Sequence, residues 1–295
     1  MAWKALLSSF AFGCLENTAS PIGVVGVPLD SSCTYRPGSR FAPQQIRNAA
    51  CNIELYSALA DLSLENVGFI DYGDIMIPPG DIHSSLRTIE LVVKNIANEH
   101  RGLLVVLGGE HLVTYPVLRT LLNKIDTLVV FDAHLDTRPE YMGSKLNHAT
   151  FLRRLTEETR DLKVIHIGSR AYSEGELEYA AKSGIALFRA FDVLHNAVKL
   201  GDLGRVYISV DMDVFDPSIA PGVSNPEPFG INHFTFAHIL KEIFERSSDV
   251  VGLDIVEVNP LVDSGDITSV LAAKIVLEAS GLYLKKKGSS TVPVG

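Results

Sequence analysis

Residues 127–136 read Thr-Leu-Val-Val-Phe-Asp-Ala-His-Leu-Asp, and this stretch indicates the fold of the chain. An apolar and β-branched run, 127–131, is followed at once by three ionisable residues in alternate positions, Asp132, His134 and Asp136. The run lacks the alternation of a strand that faces water on one side, so we expect a strand covered on both faces. In an extended backbone the three polar side chains would point the same way. They follow the end of the strand, which is where open α/β sheets build their active sites.

Two further stretches repeat this arrangement of an apolar run followed by ionisable residues. Residues 103–107 precede Gly108-Gly-Glu-His111, and residues 206–210 precede Asp211-Met-Asp213. Because the carboxyl ends of parallel strands meet at one edge of a sheet, we expect the three clusters to converge there. The candidate metal ligands are then His111, Asp132, His134, Asp136, Asp211 and Asp213.

The predicted cluster combines four carboxylates with two imidazoles and requires cations to hold it together. Two ionised carboxylates about 4 Å apart repel by about 4 kcal/mol at an effective dielectric near 20. Two divalent ions balance the four negative charges, and metal binding lowers the pKa of water from about 16 to about 7. Six side chains fill two coordination shells only if some carboxylates bridge and a solvent oxygen completes the set, so we expect a bridging hydroxide as the nucleophile. Oxygen-rich ligation with imidazole favours manganese, and the sequence predicts two Mn²⁺ per subunit.

The whole chain alternates apolar runs with amphipathic segments. Eight strand-like runs occur at residues 22–27, 67–71, 103–107, 127–131, 163–167, 185–188, 205–210 and 250–255. Between them lie segments such as 84–99, in which apolar residues recur every three or four positions and line one helix face. This alternation predicts a three-layer α/β/α fold with a mostly parallel eight-stranded sheet. We expect residues 1–287 to form a single domain and residues 288–295 to be a flexible tail or an expression remnant.

Charge and composition exclude several classes of partner. The 295-residue chain has a net charge of −9 and no basic run before its last few residues, so we expect no binding to nucleic acid or to a membrane. No uninterrupted apolar run reaches the roughly 20 residues needed to span a bilayer. Cys14, Cys33 and Cys51 lack the spacing of a metal site and are expected to be buried thiols in a reducing compartment. We therefore predict a soluble, cytoplasmic protein.

These motifs resemble those of the ureohydrolase family, to which arginases and agmatinases belong. The likeness extends from Gly26-Val-Pro-Leu-Asp30 and Arg36-Pro-Gly38 through the three ligand stretches to Glu257-Val-Asn-Pro260. It implies an arginase-like fold and a two-manganese enzyme that hydrolyses a guanidinium group to urea and an amine. It also implies a homo-oligomer, usually a trimer or hexamer, and a small guanidino compound as substrate.

The resemblance further implies how the ligands divide between the two metals. His111 and Asp136 would bind one, His134 and Asp213 would bind the other, and the two remaining ligands, Asp132 and Asp211, would bridge them.

The reaction itself requires two more groups. A guanidinium is cationic and is repelled by the metals, so a carboxylate must hold it, and Glu257, which follows the run 250–255, is the candidate. The departing amine must receive a proton, which suits a histidine with a pKa of about 6.5. His148 lies where the resembled family carries its proton-shuttling histidine. Asp213 would also hydrogen-bond the new amino group of the intermediate.

The predicted substrate is agmatine, with putrescine and urea as products. Segment 137–147 resembles agmatinases more than arginases, and Glu140 and Glu227 are candidates to accept the cationic amine tail. Arg138 would equally suit a carboxylate, as in 4-guanidinobutyrate, and Gly222-Val-Ser-Asn-Pro226 departs from the Gly-Thr-Gly-Thr-Pro of many agmatinases. The alternatives are an arginase, a guanidinobutyrase, a formiminoglutamase-type C–N hydrolase and a noncatalytic metal-binding scaffold.

Overall fold

The computed structural model describes residues 2–7, 11–159, 161–195 and 198–288. Of the predicted tail 288–295, all but Gly288 lies outside the described residues.

Eight strands form one central sheet, and every neighbouring pair in it is parallel. Over the described ranges the strands are β1 Ile22–Val27, β2 Tyr56–Ser57, β3 Leu62–Ser63, β4 Ile70–Asp74, β5 Leu103–Gly108, β6 Thr127–Phe131, β7 Lys163–Ser169, β8 Ala186–Arg189, β9 Gly204–Asp211 and β10 Ser247–Val256. The order in the sheet is β4-β1-β5-β10-β9-β6-β7-β8, while β2 and β3 pair separately as a short antiparallel hairpin. The predicted eight-stranded sheet is confirmed.

Helices cover both faces of this sheet. They are α1 Ala42–Ala50, α2 Ile82–Glu99, α3 Thr114–Leu121, α4 Phe151–Glu158, α5 Glu174–Lys182, α6 Ala190–Leu194, α7 His233–Arg246 and α8 Ile267–Lys286. One core packs the sheet against α1, α7 and α8, and the other packs it against α2, α3 and α4. Successive residues of β5 enter opposite cores, Val105 with the first and Val106 with the second, which confirms a strand buried on both faces.

Helix α8 is long and apolar enough to be compared with a membrane-spanning segment. An 18-residue window within 264–286 has a mean hydropathy of 1.5, but 78% of that window is buried inside the protein. The helix packs against α1 and α7 and belongs to the core.

The edge strand β4 begins three residues later than the run 67–71 predicts. Gly68 has a φ of 58° and its N–H donates to Leu64, so residues 67 and 68 close a turn before the strand begins. The strand then carries Asp71 and Asp74, whose charges are paired with buried Arg47 from α1 at the edge of the sheet.

The prediction of three thiols was wrong for two of the cysteines. Cys14 and Cys51 form a disulfide with their Cα atoms 5.1 Å apart, and only Cys33 is a free thiol. The pairing depends on a tertiary contact between the turn Phe12–Cys14 and the end of α1, which the spacing of cysteines in the sequence does not reveal. Disulfides are uncommon in reducing compartments, so the structure weakens the argument from cysteines to location.

Candidate active site

The predicted functional residues other than His148 lie at or just after the carboxyl ends of four neighbouring strands. In the sheet these strands follow one another as β5, β10, β9 and β6. They place His111, Glu257, Asp211 and Asp132 at the same edge. A cavity of about 540 Å³ opens there. Its lining includes Tyr35, His134, Asp136, Arg138, Tyr141, His148, Tyr172, Glu176, Asp211, Asp213, Asn225, Glu227 and Glu257.

One group of candidate ligands surrounds the ring of His111. Its Nδ1 atom lies 3.0 Å from Oδ2 of Asp132, 3.1 Å from Oδ2 of Asp211 and 3.4 Å from Oδ2 of Asp136. The ligand atoms of His111, Asp132 and Asp211 all lie within 4.8 Å of one another. The structure thus brings these four residues together, as their positions at strand ends predict.

A second group lies beside the first and shares Asp132 with it. His134 Nδ1 is 2.9 Å from Oδ2 of Asp213 and 3.6 Å from Oδ1 of Asp132. The ligand atoms of these three residues also lie within 4.8 Å of one another. Two adjacent groups with a common carboxylate are what a pair of bridged cations requires.

Two candidate ligand atoms in the first group are buried without a hydrogen bond, and a bound metal ion would give them a partner. His111 Nδ1 and Asp132 Oδ2 are buried, and neither makes a hydrogen bond within the described part of the chain. Leaving such groups without a partner costs about 1–3 kcal/mol each, and more when they are charged. A divalent cation between them would remove this cost, so the residues fit a metal ion.

Burial and the close packing of charges shift the pKa values of the cluster. Burial, together with the charges of Asp213 and Asp132, raises the pKa of Asp211 well above its ordinary value. Burial opposes protonation of His111, but its close contacts with the carboxylates of Asp132 and Asp211 outweigh burial and raise the pKa of the imidazole well above its usual range. Both shifts have the sign expected of a site with excess negative charge, which a cation would neutralise.

A set of buried polar residues behind His111 is not evident from the sequence motifs. The Nε2 atom of His111 lies 3.0 Å from the hydroxyl of Ser209, and that hydroxyl donates to Asp254 at 2.6 Å. Asp254 is fully buried and also accepts from Thr114 and Tyr207. Because the hydroxyl of Ser209 donates its proton to Asp254, its oxygen accepts the Nε2–H of His111. The other ring nitrogen of His111, Nδ1, then faces the carboxylates. An aspartate inside the apolar run 250–255 was the available signal.

The loop 217–230 places a carboxylate, that of Glu227, close to His134. Oε1 of Glu227 lies 3.8 Å from Nε2 of His134, and this contact lowers the pKa of the carboxyl group. Arg170, at the end of β7, fixes the loop because its Nη2 donates to the backbone carbonyls of Asp213 and Glu227, each at 2.7 Å. Glu227 therefore contacts a candidate ligand in addition to lining the cavity.

The expected extended run from Asp132 to Asp136 is wrong at its last residue. Asp136 has a φ of 50°, in the left-handed region that residues other than glycine rarely adopt. His134 pairs with Ala171 in a single parallel bridge, and the chain then turns. Asp136 therefore joins Asp132 and His134 from a turn, rather than from the same face of an extended strand.

Glu257, the candidate that the sequence offers for the guanidinium-binding carboxylate, lines the cavity. It has a φ of 63°, its N–H donates to Gly109 at 2.8 Å, and its Oε1 accepts the N–H of His111 at 2.8 Å. Burial raises the pKa of this carboxyl group to about 8. A bound cation would favour its ionised form, and a strained backbone held by neighbouring residues is common at functional sites.

His148 lies across the cavity, in the first turn after Asn147. The side chain of Asn147 accepts the N–H of Ala149 and so fixes the start of this turn. The ring of Tyr141 stands edge-on to the imidazole, with the ring centroids 6.0 Å apart. Burial and the neighbouring charge of His134 lower the pKa of His148 to about 4, below the ordinary value that the sequence suggested, so at neutral pH the ring has to gain a proton before it can donate one.

The rim of the cavity contains an acidic residue that the sequence analysis missed. Glu176, in the first turn of α5, is buried and lies 3.5 Å from Nη2 of Arg138. The guanidinium of Arg138 also stacks on Tyr141, at 4.9 Å from the ring centroid. Glu140, the candidate that the sequence suggested for the substrate tail, is instead exposed and does not line the cavity.

Comparison with known proteins agrees with this geometry. The profile of the arginase family matches residues 20–281. An agmatinase of Bacillus anthracis is 38% identical over 264 residues, which cover 88% of this chain and 90% of that protein. A guanidinobutyrase of Pseudomonas aeruginosa is 34% identical over 281 residues, which cover 89% of this chain and 86% of that protein. The crystal structure of the agmatine ureohydrolase of Thermoplasma volcanium superimposes with a TM-score of 0.82 at 32% identity, over 98% of this chain and 99% of that one.

The fold and the site together define a ureohydrolase, a hydrolase that cleaves carbon–nitrogen bonds of guanidino compounds. The chain belongs to the arginase family. Enzymes of this family depend on two metal ions, and this chain has two adjacent groups of histidine and aspartate that could hold them.

Proposed function

We propose that the protein is a manganese-dependent agmatinase that converts agmatine and water to putrescine and urea, as a step of polyamine biosynthesis. The observation that carries the proposal is the pairing of Arg138 with Glu176 at the cavity rim. Because this arginine has an acidic partner and is stacked on Tyr141, its charge is not free to attract a carboxylate tail. Glu227 adds a further negative charge to the lining, which favours a substrate with an ammonium tail.

The ligand set supports two Mn²⁺ per subunit. Four carboxylates and two imidazoles form an oxygen-rich set, and manganese accepts such a set readily. In the proposal, His111 and Asp136 would hold one ion, His134 and Asp213 would hold the other, and Asp132 and Asp211 would contribute to both sites. When bound, the two ions supply positive charge to the aspartates and a water molecule of lowered pKa.

Three side chains would act on the substrate directly. The carboxylate of Glu257 binds the guanidinium, with Oε1 already fixed by the N–H of His111. Asp213 accepts a hydrogen bond from the amino group as the planar carbon becomes tetrahedral. His148 then gives a proton to the departing amine, which has to leave as a neutral molecule or an ammonium ion.

The second candidate is a guanidinobutyrase. It is favoured by Arg138 itself, because an arginine at the rim would bind the carboxylate of 4-guanidinobutyrate if Glu176 released it. The similarity to the guanidinobutyrase of Pseudomonas aeruginosa supports the same alternative.

The proposal includes a single domain over residues 1–287, a homo-oligomer and a cytoplasmic location. A trimer or hexamer would cover exposed aromatic side chains such as Phe191, Phe229 and Phe234, which are 59%, 71% and 77% exposed. The disulfide between Cys14 and Cys51 is uncommon in the cytoplasm, so it argues against that location. Alkylation of thiols in intact cells tests it, since a cytoplasmic enzyme should present more than the one free thiol of Cys33.

The decisive experiment measures urea release from agmatine, arginine and 4-guanidinobutyrate by the Mn²⁺-loaded enzyme. We expect kcat/KM to be highest for agmatine. A preference for 4-guanidinobutyrate would establish the second candidate, and release of formamide or formate from formiminoglutamate would place the enzyme with the formiminoglutamases. No turnover of any of these compounds would overturn the proposal.

A further inference from the structure

A hydrogen-bonded chain links a buried carboxylate to His148 through the hydroxyl of Ser32. Glu110 is fully buried and its Oε2 accepts the N–H groups of Ser31 and Ser32, at 2.8 and 2.6 Å. Its other oxygen, Oε1, accepts the hydroxyl proton of Ser32 at 2.9 Å. The same hydroxyl oxygen accepts the backbone N–H of His148 at 2.9 Å and lies 3.2 Å from Nδ1 of its ring.

This arrangement determines which ring nitrogen of His148 carries a proton. A serine hydroxyl has one proton, and the shorter contact of Ser32 is with the carboxylate of Glu110, which accepts it. The oxygen of Ser32 can then only accept from Nδ1, so Nδ1 must carry a hydrogen. In the neutral ring Nε2 is therefore the nitrogen without a proton.

We propose that Ser32 is a positioning residue for His148, which links Nδ1 to Glu110 and leaves Nε2 to exchange a proton with the departing amine. The inference rests on the proposed function of His148. In the step itself, the Nε2–H bond of the imidazolium breaks and its proton goes to the amine nitrogen, which also receives the electron pair of the broken C–N bond. The ring is left neutral with its hydrogen on Nδ1, which is the form that Ser32 accepts. Solvent then returns the proton to Nε2.

The segment that carries Ser32 is itself held firmly. Asp30 accepts the N–H of Gly38 at 2.8 Å and closes the loop 30–38. Asn259, two residues after Glu257, donates to the carbonyl of Arg36 at 2.9 Å. The hydroxyl is thus placed by contacts at both ends of the loop, which a positioning role requires.

The test is a double-mutant cycle on the Mn²⁺-loaded enzyme with agmatine as substrate. Ser32→Ala should lower kcat by about tenfold or more with KM within about twofold, because a general acid in the wrong tautomer loses part of a contribution that is typically 10²–10⁴-fold. Ser32→Thr keeps the hydroxyl and should restore kcat to within about threefold. Ser63→Ala, which removes another half-buried hydroxyl that accepts a backbone N–H, should leave kcat unchanged.

The background variant is His148→Asn. If Ser32 acts through this histidine, adding Ser32→Ala to His148→Asn should cause no further loss of kcat. A further tenfold loss in that background, or a Ser32→Ala enzyme as fast as wild type, would overturn the inference. If His148→Asn itself keeps the wild-type rate, the proposed proton shuttle fails instead. Should Ser32→Ala not fold, Ser32→Cys supplies the comparison, because a thiol is a weak acceptor and should give a kcat well below that of Ser32→Thr.

Discussion

Replacing Asp211 by asparagine should stabilise the metal-free protein and destabilise the metal-loaded one. The ligand atoms of Asp211 and Asp132 lie within 4.8 Å of each other. Two ionised carboxylates at that distance repel by about 3.5 kcal/mol at an effective dielectric near 20. Attraction to His111 offsets part of the repulsion, so we expect the free energy of unfolding of the metal-free protein to rise by about 1–3 kcal/mol near neutral pH.

The size of this effect should depend on pH with a defined sign. Burial and the neighbouring aspartates raise the pKa of Asp211 in the folded, metal-free protein above that of the unfolded chain. Below about pH 4, the pKa in the unfolded chain, Asp211 is protonated in both states and costs the folded protein no stability. The folded protein loses stability as the pH rises through the raised pKa of the folded state. Asparagine does not titrate, so its advantage over aspartate should grow as the pH rises above the unfolded pKa of about 4.

Thermal unfolding in chelator and in excess Mn²⁺ measures both effects. In chelator the melting temperature of Asp211→Asn should rise by about 2 °C or more per kcal/mol. Excess Mn²⁺ at about 100 times the dissociation constant should add about 2.7 kcal/mol per site to the wild type and much less to the variant. Asp266→Asn is the control, since Asp266 is exposed with a φ of 58°, a conformation that asparagine also adopts. A variant less stable than wild type in chelator near pH 8, or equally stabilised by Mn²⁺, would refute the reasoning.

Three further changes have defined outcomes. Replacing Cys14 and Cys51 by alanine should lower the free energy of unfolding, measured by urea denaturation, by about 4 kcal/mol, because the disulfide closes a loop of 37 residues and reduces the entropy of the unfolded chain. Equal stability of the variant and the oxidised wild type would contradict this contribution of the disulfide. Glu176→Gln should free Arg138 and lower the ratio of kcat/KM for agmatine over 4-guanidinobutyrate by about tenfold, which corresponds to about 1.4 kcal/mol; an unchanged ratio would show that the pair does not select the tail. Glu257→Gln keeps an acceptor for the N–H of His111 but loses the charge that holds a guanidinium. Its kcat/KM should fall by about 100-fold, or about 3 kcal/mol, at unchanged metal content, and a fall explained by lost metal would contradict the assignment.

The strands and the convergence of the ligands were predictable because they depend on local patterns. A run such as 127–131 is apolar on both faces, so it could only be a strand inside a three-layer fold. Polar residues that directly follow such strands lie at the sheet edge where the carboxyl ends of the parallel strands meet. The residues that follow β5, β6 and β9 therefore predict the position of the site from local sequence patterns alone.

The features that the sequence did not reveal depend on contacts between distant segments. The disulfide joins residues 37 positions apart, and Ser32 reaches His148 across 116 positions. Glu176 was hidden because the first turn of a helix commonly carries an acidic residue for reasons of capping alone. The left-handed backbone at Asp136 likewise arises from the fold, since no glycine marks the position.

The most direct test of the account is a titration of the metal-free enzyme with Mn²⁺, in which bound metal per chain and urea release from agmatine are measured on the same samples. The structure predicts that the rate continues to rise until two ions are bound per chain and then stays constant. A full rate with one ion or none would contradict the central claim that two adjacent groups, joined through Asp132, act as one binuclear centre.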